Sequence, residues 1–289
     1  MTTSALPTDT IRSASLIKKH PVPIVFLLVL GLTWPFMIWD ALASHGILPF
    51  RLPLPVMLMQ SYMPTLAAVI VTGLLSGRAG IRALFRKLLI ARVGLRWYAF
   101  AIFGIAAICM AVILLGNMFG PRPALPILSP EMPPLSRPLE LLLGVAFYFI
   151  LTGVLNGEEL AWRGFALPRL QAKYNALVSS MILSVPFTLF HLPLFFDPEM
   201  NMGPFASFAI RAVALTVLFT WLYNHTRGSV LLAYLMHAAF NTWTRVFSID
   251  PGYHFQDWMM TLVMVILAGI VVAVAGAEHL SRTNVRITE

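Results

Sequence analysis

Two adjacent acids begin the chemistry this chain could do. Glu158 and Glu159 precede Arg163 in the run Glu-Glu-Leu-Ala-Trp-Arg, Phe187 stands four residues before His191, and His237 stands four residues before Asn241. All three sets sit inside otherwise apolar stretches. An ionisable group in a bilayer is costly, so such a residue is a functional candidate by default. A carboxylate in a low-dielectric pocket that admits water is suited to act as a general base. A neutral imidazole can orient the same water or share its proton. Attack on an amide carbonyl creates an oxyanion, and an imidazole with a carboxamide can donate hydrogen bonds to it. In this reading Glu158 is the base and His191 its partner on the water. His237 and Asn241, at i,i+4 on one helix face, form the oxyanion site. Glu159 and Arg163, also i,i+4, pair with each other and hold their helix, and Phe187 supports His191. A lone intramembrane histidine usually packs or bridges helices, and a Glu–Arg pair is often structural. The combination of two acids, two histidines and an asparagine is harder to assign to packing.

These residues must be positioned by membrane helices. The chain has 289 residues, 58% hydrophobic and 11% charged, with a mean hydropathy of +0.81. Soluble proteins carry about 25% charged residues. The fold class is therefore all-α, a polytopic membrane bundle. Runs of roughly 20 apolar residues span a bilayer. Eight can be read, near 22–43, 53–76, 97–118, 139–160, 176–196, 204–223, 229–247 and 258–278. The formal net charge is +8, but its distribution argues against nucleic acid. Arg12, Lys18 and Lys19, then Arg78 to Arg96, then Arg163, Arg169 and Lys173, then Arg227, Arg282 and Arg286 all fall on one side of the eight spans. The alternate loops carry Arg51, Arg122 and Arg137 with Glu131, Asp197, Glu199, Asp250 and Asp257. Basic loops mark the cytoplasmic side, so the chain is expected in the inner membrane with both termini in the cytoplasm. Cys109 is the single cysteine, which rules out an intrachain disulfide.

The expected organisation is one membrane domain in three parts. Residues 1–138 hold spans one to three, with a basic amphipathic helix over 78–96 on the inner leaflet. Residues 139–247 hold the three motifs, and 248–289 the last span and tail. Seven prolines between Pro121 and Pro138 predict an extended outer loop. Ala41-Leu42-Ala43 resembles a signal-peptidase site, but the long preceding run with Trp34, Pro35 and Trp39 favours an uncleaved first span.

The motifs should converge. In an antiparallel hairpin turning near Lys173, Tyr174 and Asn175, positions 158 and 191 are equidistant from the turn. Each lies ~24 Å from its tip at ~1.5 Å per residue. With a tip protruding about 10 Å, that is a depth of roughly 14 Å, and His237, about nine residues into its span, reaches the same level. The expected cavity opens to the cytoplasm. Arg245, i+4 from Asn241, is a weaker candidate for the same site. Arg211 is expected to snorkel, and Asp40 to lie where water reaches.

At these residues the chain resembles the CPBP family of intramembrane proteases (CAAX protease and bacteriocin processing, also the abortive-infection family), which includes the type II CAAX prenyl endopeptidase. The family pattern EExxxR, FxxxH, Hxxx(N/D) occurs here in order, over roughly residues 139–247. The resemblance implies hydrolysis of peptide bonds in a protein or peptide substrate, in some members after a prenylated cysteine, with membrane lipids as surroundings. It implies that Glu158 and His191 activate water and that His237 and Asn241 form the oxyanion site. It carries two descriptions of the chemistry, a metalloprotease and direct activation of water. Two histidines and a glutamate suit zinc with an open fourth position, and if zinc is bound its ligands are Glu158, His191 and His237. HExxH is missing, which favours no tightly held metal. A transporter or proton relay built on the same polar cavity is the alternative, although no internal repeat supports it. A catalytically silent immunity protein and a bis-histidine haem protein are further ones.

Overall fold

The computed structural model describes residues 16–120, 127–247, 249–250, 253–282 and 287–288. Arg12, Arg122, Arg286 and residues 121–126 of the expected outer loop lie outside them. The chain is an all-α polytopic helix bundle. Its elements are α1 Pro21–Ser44, α2 Leu54–Ser61, α3 Met63–Arg86, α4 Leu95–Phe119, α5 Pro138–Val154, a π-helical segment Leu160–Ala166 continuing into α6 Leu167–Gln171, α7 Ala176–Phe190, α8 Phe205–His225, α9 Val230–Val246 and α10 His254–Ala275. Among the described residues the sole strand pairing is one isolated bridge, Leu128 with Phe247.

Five helices among the described residues are long and apolar enough to cross a membrane, and α5 and α7 are shorter apolar helices. Leu27, Leu74, Phe103, Leu142 and Ile266 point outward and exposed, as expected where lipid is the solvent. Inside, α1 packs on α3, α8 lies against α7 and α10, α4 packs against α9 and α10, and α5 packs against α9. Trp162, Phe165, Leu183 and Phe187 fill one apolar cluster; Ile105, Val112, Phe219 and Met236 fill another.

The helices start where local chemistry allows. Pro21 and Pro138 open α1 and α5, where the missing N–H of proline would be unpaired anyway. The side chains of Asn175 and Ser229 cap α7 and α9, accepting from Val178 N at 2.8 Å and Leu232 N at 3.2 Å.

Three of the expected spans are interrupted. Span two breaks at Tyr62, between α2 and α3. Span four stops at Val154 and unwinds before the chain re-enters a helix near Glu159. Span five stops at Phe190, and the short 3-10 turn Leu192–Phe196 follows, with Pro193 at its second position. The basic stretch 78–96 also differs from one surface helix. It continues α3 after a bend at Gly77, whose φ of 57° and ψ of −154° suit glycine. It ends in a 3-10 turn at Lys87–Leu89, and residues 90–94 are not helical.

Two of the breaks face each other. The carbonyl of Gly157 accepts from Thr65 N at 3.2 Å and from Thr65 Oγ1 at 2.7 Å. A Cβ on Gly157 would lie 2.3 Å from Ser61 O and 2.6 Å from Tyr62 Cα. Glycine is therefore required there by close approach of backbone to backbone. This contact fixes the residue immediately before Glu158.

Gly157→Ala should lower the thermal unfolding temperature in detergent, with an overpacking cost of ~1–3 kcal/mol. Gly31→Ala, in α1 with nothing near its added methyl, should be neutral or stabilise by up to ~1 kcal/mol. Equal unfolding temperatures for wild type and Gly157→Ala would contradict the proposed role of this contact.

Candidate active site

The re-entrant helix that begins beside Glu159 carries most of the polar chemistry. Asn156 Oδ1 accepts from Glu158 N at 3.4 Å, and Glu158 O accepts from Ala161 N at 2.9 Å and Trp162 N at 3.1 Å. Both acids thus sit at the start of a helix, where its dipole favours negative charge. The next seven residues, Leu160–Ala166, are π-helical and all buried. Pro168 explains part of this irregularity, because it has no N–H to return to Gly164 and its ring crowds that carbonyl. Lys87 Nζ donates to Gly164 O instead, at 2.6 Å. The basic stretch after Gly77 therefore braces the helix that bears Glu159.

Glu159 is fully buried, and its Oε1 accepts from Arg163 Nη1 at 3.0 Å and from His237 Nδ1 at 2.7 Å. Arg163 is 1% exposed, with its guanidinium 4.0 Å from the Phe219 ring centroid and 5.8 Å from that of Phe187. Glu159 Oε2 and Arg163 Nε are buried without a hydrogen-bond partner. The pair thus carries a desolvation cost that its mutual attraction and the aromatic faces must outweigh.

The two imidazoles are oriented alike. A carboxylate only accepts, so His237 Nδ1 must donate to Glu159. A carbonyl also only accepts, so His191 Nδ1 must donate to Phe187 O, at 2.8 Å. Each histidine is left with Nε2 for the cavity. His237 Nε2 lies 4.0 Å from Glu158 Oε1, and Trp162 Nε1 donates to Glu158 Oε2 at 2.9 Å. The His191 ring packs against Phe187, Phe190 and Phe208 at centroid distances of 4.8, 4.9 and 5.2 Å.

Glu158, Phe187, His191, His237 and Asn241 all line one cavity of about 470 Å³. This lies within the range of ordinary ligand pockets, about 300–1,000 Å³. Glu159 and Arg163 stand behind its wall. The sequence motifs therefore meet, although the uninterrupted hairpin expected to align them is broken at residues 155–158. Other lining residues were not singled out as a site by their sequence context, including Arg51, Asp197 and Asp257. Arg211 does not snorkel: it is buried and donates to Asp257 Oδ1 at 2.6 Å and Thr261 Oγ1 at 3.0 Å. Asp40 is 7% exposed and accepts from Leu52 N at 2.8 Å. Arg245 is not among the lining residues and places its guanidinium 5.4 Å from the Tyr148 ring centroid. Trp162, i+4 from Glu158, was legible as a neighbour from helical spacing; Phe219, on a separate helix, had no sequence signal.

Beyond the motifs the lining of the cavity continues to Asp40, Arg51, Asp197 and Asn201. The donor set itself, two Nε2 atoms and a carboxylate, is of the kind zinc uses. Among the described residues, however, no three His, Cys, Asp or Glu side chains gather closely enough to hold a metal ion.

Comparison with known proteins bears on the same stretch. Residues 138–243 match the family model described as type II CAAX prenyl endopeptidase Rce1-like. Over 105 residues the chain is 27% identical to CAAX prenyl protease 2 of Methanococcus maripaludis, a stretch covering 34% of this chain and 39% of that protein. The chain thus aligns with well under half the length of this relative. The matched region contains Glu158, Glu159, Arg163, His191, His237 and Asn241, so the resemblance to type II CAAX prenyl endopeptidases read from the motifs falls on the residues that form this site.

Proposed function

We propose that the chain is an intramembrane endopeptidase that hydrolyses a peptide bond in a membrane-associated protein or peptide. The observation that carries this reading is one cavity onto which Glu158, Asn241 and two anchored imidazoles converge. The similarity to CAAX prenyl protease 2 supports the same reaction class. Met57, Phe190, Leu194 and Met260 supply apolar walls, which suits a membrane-embedded or lipid-modified segment.

The steps use the chain's own groups. A water molecule between Glu158 and His191 gives its proton to the Glu158 carboxylate as its oxygen attacks the amide carbon. The carbonyl π bond breaks and the oxygen becomes an oxyanion. Asn241 Nδ2 donates to it, and so does His237 Nε2 in the imidazolium form. Glu158 and Glu159 beside Arg163 carry a net charge of one negative, which an imidazolium at His237 balances. As the tetrahedral intermediate collapses, the C–N bond breaks and the proton on Glu158 passes to the leaving nitrogen. Glu159 does not touch the reacting atoms in this scheme; it positions His237 and fixes which ring nitrogen faces the cavity.

Comparative membrane peptidomics tests the activity directly. Cells with wild-type protein should yield peptides that are missing with Glu158→Gln at matched expression, and their ends name the cleaved bond. An identical peptide set, with both proteins folded and inserted, would overturn the reading. With a substrate so identified, Asn241→Ala should lower kcat by about 10²–10³-fold, the usual loss for one oxyanion donor. Glu158→Gln should leave the unfolding temperature near that of wild type. Glu159→Ala should lower it clearly, because it leaves Arg163 buried and unpaired at a cost of ~3–5 kcal/mol. Equal unfolding temperatures for these two variants would remove Glu159 from its positioning role.

A further inference from the structure

Among the described residues, Arg51 and Arg211 are the arginines that line the cavity, and they are held in opposite ways. Arg51 is engaged by acids on every side. Its Nη2 pairs with Asp197, its Nη1 lies 2.5 Å from Glu199 Oε2 and its Nε 3.9 Å from Asp40 Oδ1. Arg211, on α8, uses one nitrogen only. Its Nη1 donates to Asp257 Oδ1 at 2.6 Å, to Thr261 Oγ1 at 3.0 Å and to Asp257 O at 3.3 Å, all on α10. Asp257 is occupied in turn, since its Oδ2 accepts from Ser207 Oγ.

The other edge of the Arg211 guanidinium is open. Among the described residues, its Nε and Nη2 have no hydrogen-bond partner. Neither atom is sealed in the interior as Arg163 Nε is. These two nitrogens lie side by side in the guanidinium plane and form the fork that grips a carboxylate with two parallel bonds. Asp257 and Thr261 fix that plane from behind, so little side-chain freedom is left to lose on binding. Phe208, Leu215 and Met260, each within one helical turn of Arg211 or Asp257, add apolar lining, and a low local dielectric strengthens such a bond. The fork is also near the motifs. The guanidinium lies 6.0 Å from the Phe208 ring centroid, and that ring lies 5.2 Å from the His191 ring.

We infer that Arg211 is a carboxylate-binding subsite of the cavity, held in place by Asp257 and Thr261 and set one aromatic ring away from His191. The carboxylate is either the free C-terminal end of a peptide or the side chain of an Asp or Glu within it, since the fork meets both in the same geometry. That the carboxylate belongs to a peptide rests on the endopeptidase reading above; the anion subsite itself does not. In that reading Arg211 determines specificity. It holds the substrate a few residues from the cleaved bond and does not touch the reacting atoms.

Peptide retention on the immobilised full chain, in an uncharged detergent, tests the subsite without turnover. The chain carries Glu158→Gln so that no probe is cleaved during the incubation. The probes are N-dodecanoyl tripeptides of randomised neutral sequence, made as free acids, as C-terminal amides, and as amides that contain one Asp or Glu. Mass spectrometry counts what is eluted. Either the free acids or the Asp/Glu amides should be retained ~10–100-fold above the neutral amides, the range for hydrogen bonds to charged groups. Which of the two sets is retained names the source of the carboxylate. Arg211→Lys, which keeps the charge but not the fork, should lose most of this preference. Arg211→Gln should lose all of it. Because that change leaves Asp257 without its partner, Arg211→Gln with Asp257→Asn is the second variant; it removes both charges and should fold with the preference gone. Equal retention of all three probe sets, none at all included, would overturn the inference, as would an acid preference that survives in the folded double variant. If the preference is as expected but peptidomics shows no cleavage, the endopeptidase reading fails and the subsite stands. If peptidomics shows cleavage and no probe set is preferred, the subsite fails and the endopeptidase reading stands.

Discussion

A single carboxylate oxygen, Glu159 Oε1, ties the molecule together. It accepts from a guanidinium on its own helix and from an imidazole on α9. The group is fully buried, so each of these contacts is obligatory: an unpaired charge in this interior would cost several kcal/mol. Phe219 and Phe187 lie against the guanidinium and keep water from it. Once Glu159 points inward, Glu158, the residue before it on the same turn, is directed to the cavity wall. The adjacency of the two acids thus places one in the buried network and the other on the cavity wall.

The same arrangement requires irregular backbone, and a bilayer tolerates that only where every freed polar group finds a partner inside the protein. Gly157 O is taken by Thr65 and Gly164 O by Lys87. Each partner comes from α3 or the turn that follows it, a region with no motif of its own. The basic stretch thereby acquires a second task. Lys87 in that stretch stabilises a π-helical turn, a distortion frequent at functional sites.

Orientation of the imidazoles follows from partners that can only accept. Phe187 O and Glu159 Oε1 each engage an Nδ1, so both Nε2 atoms are presented to the same space. Phenylalanine in the pair Phe187–His191 thus has two roles. Its carbonyl sets the tautomer of His191 and its ring packs on that imidazole and over Arg163.

Much of this was legible in the sequence. Apolar run lengths specify an all-α membrane bundle, because only helices or closed barrels satisfy their backbone in lipid. The i,i+4 spacing of Glu159 with Arg163 specifies their pair, because spacing along a helix is a local property. The cost of buried ionisable groups marks Glu158, His191 and His237, the i,i+4 spacing adds Asn241, and all four line the cavity. Local pattern does not encode partners that are distant in the chain. Glu159 reaching across 78 residues to His237, Gly157 packed against the break at Ser61–Tyr62, and Arg211 drawn inward by Asp257 all depend on helices meeting in space.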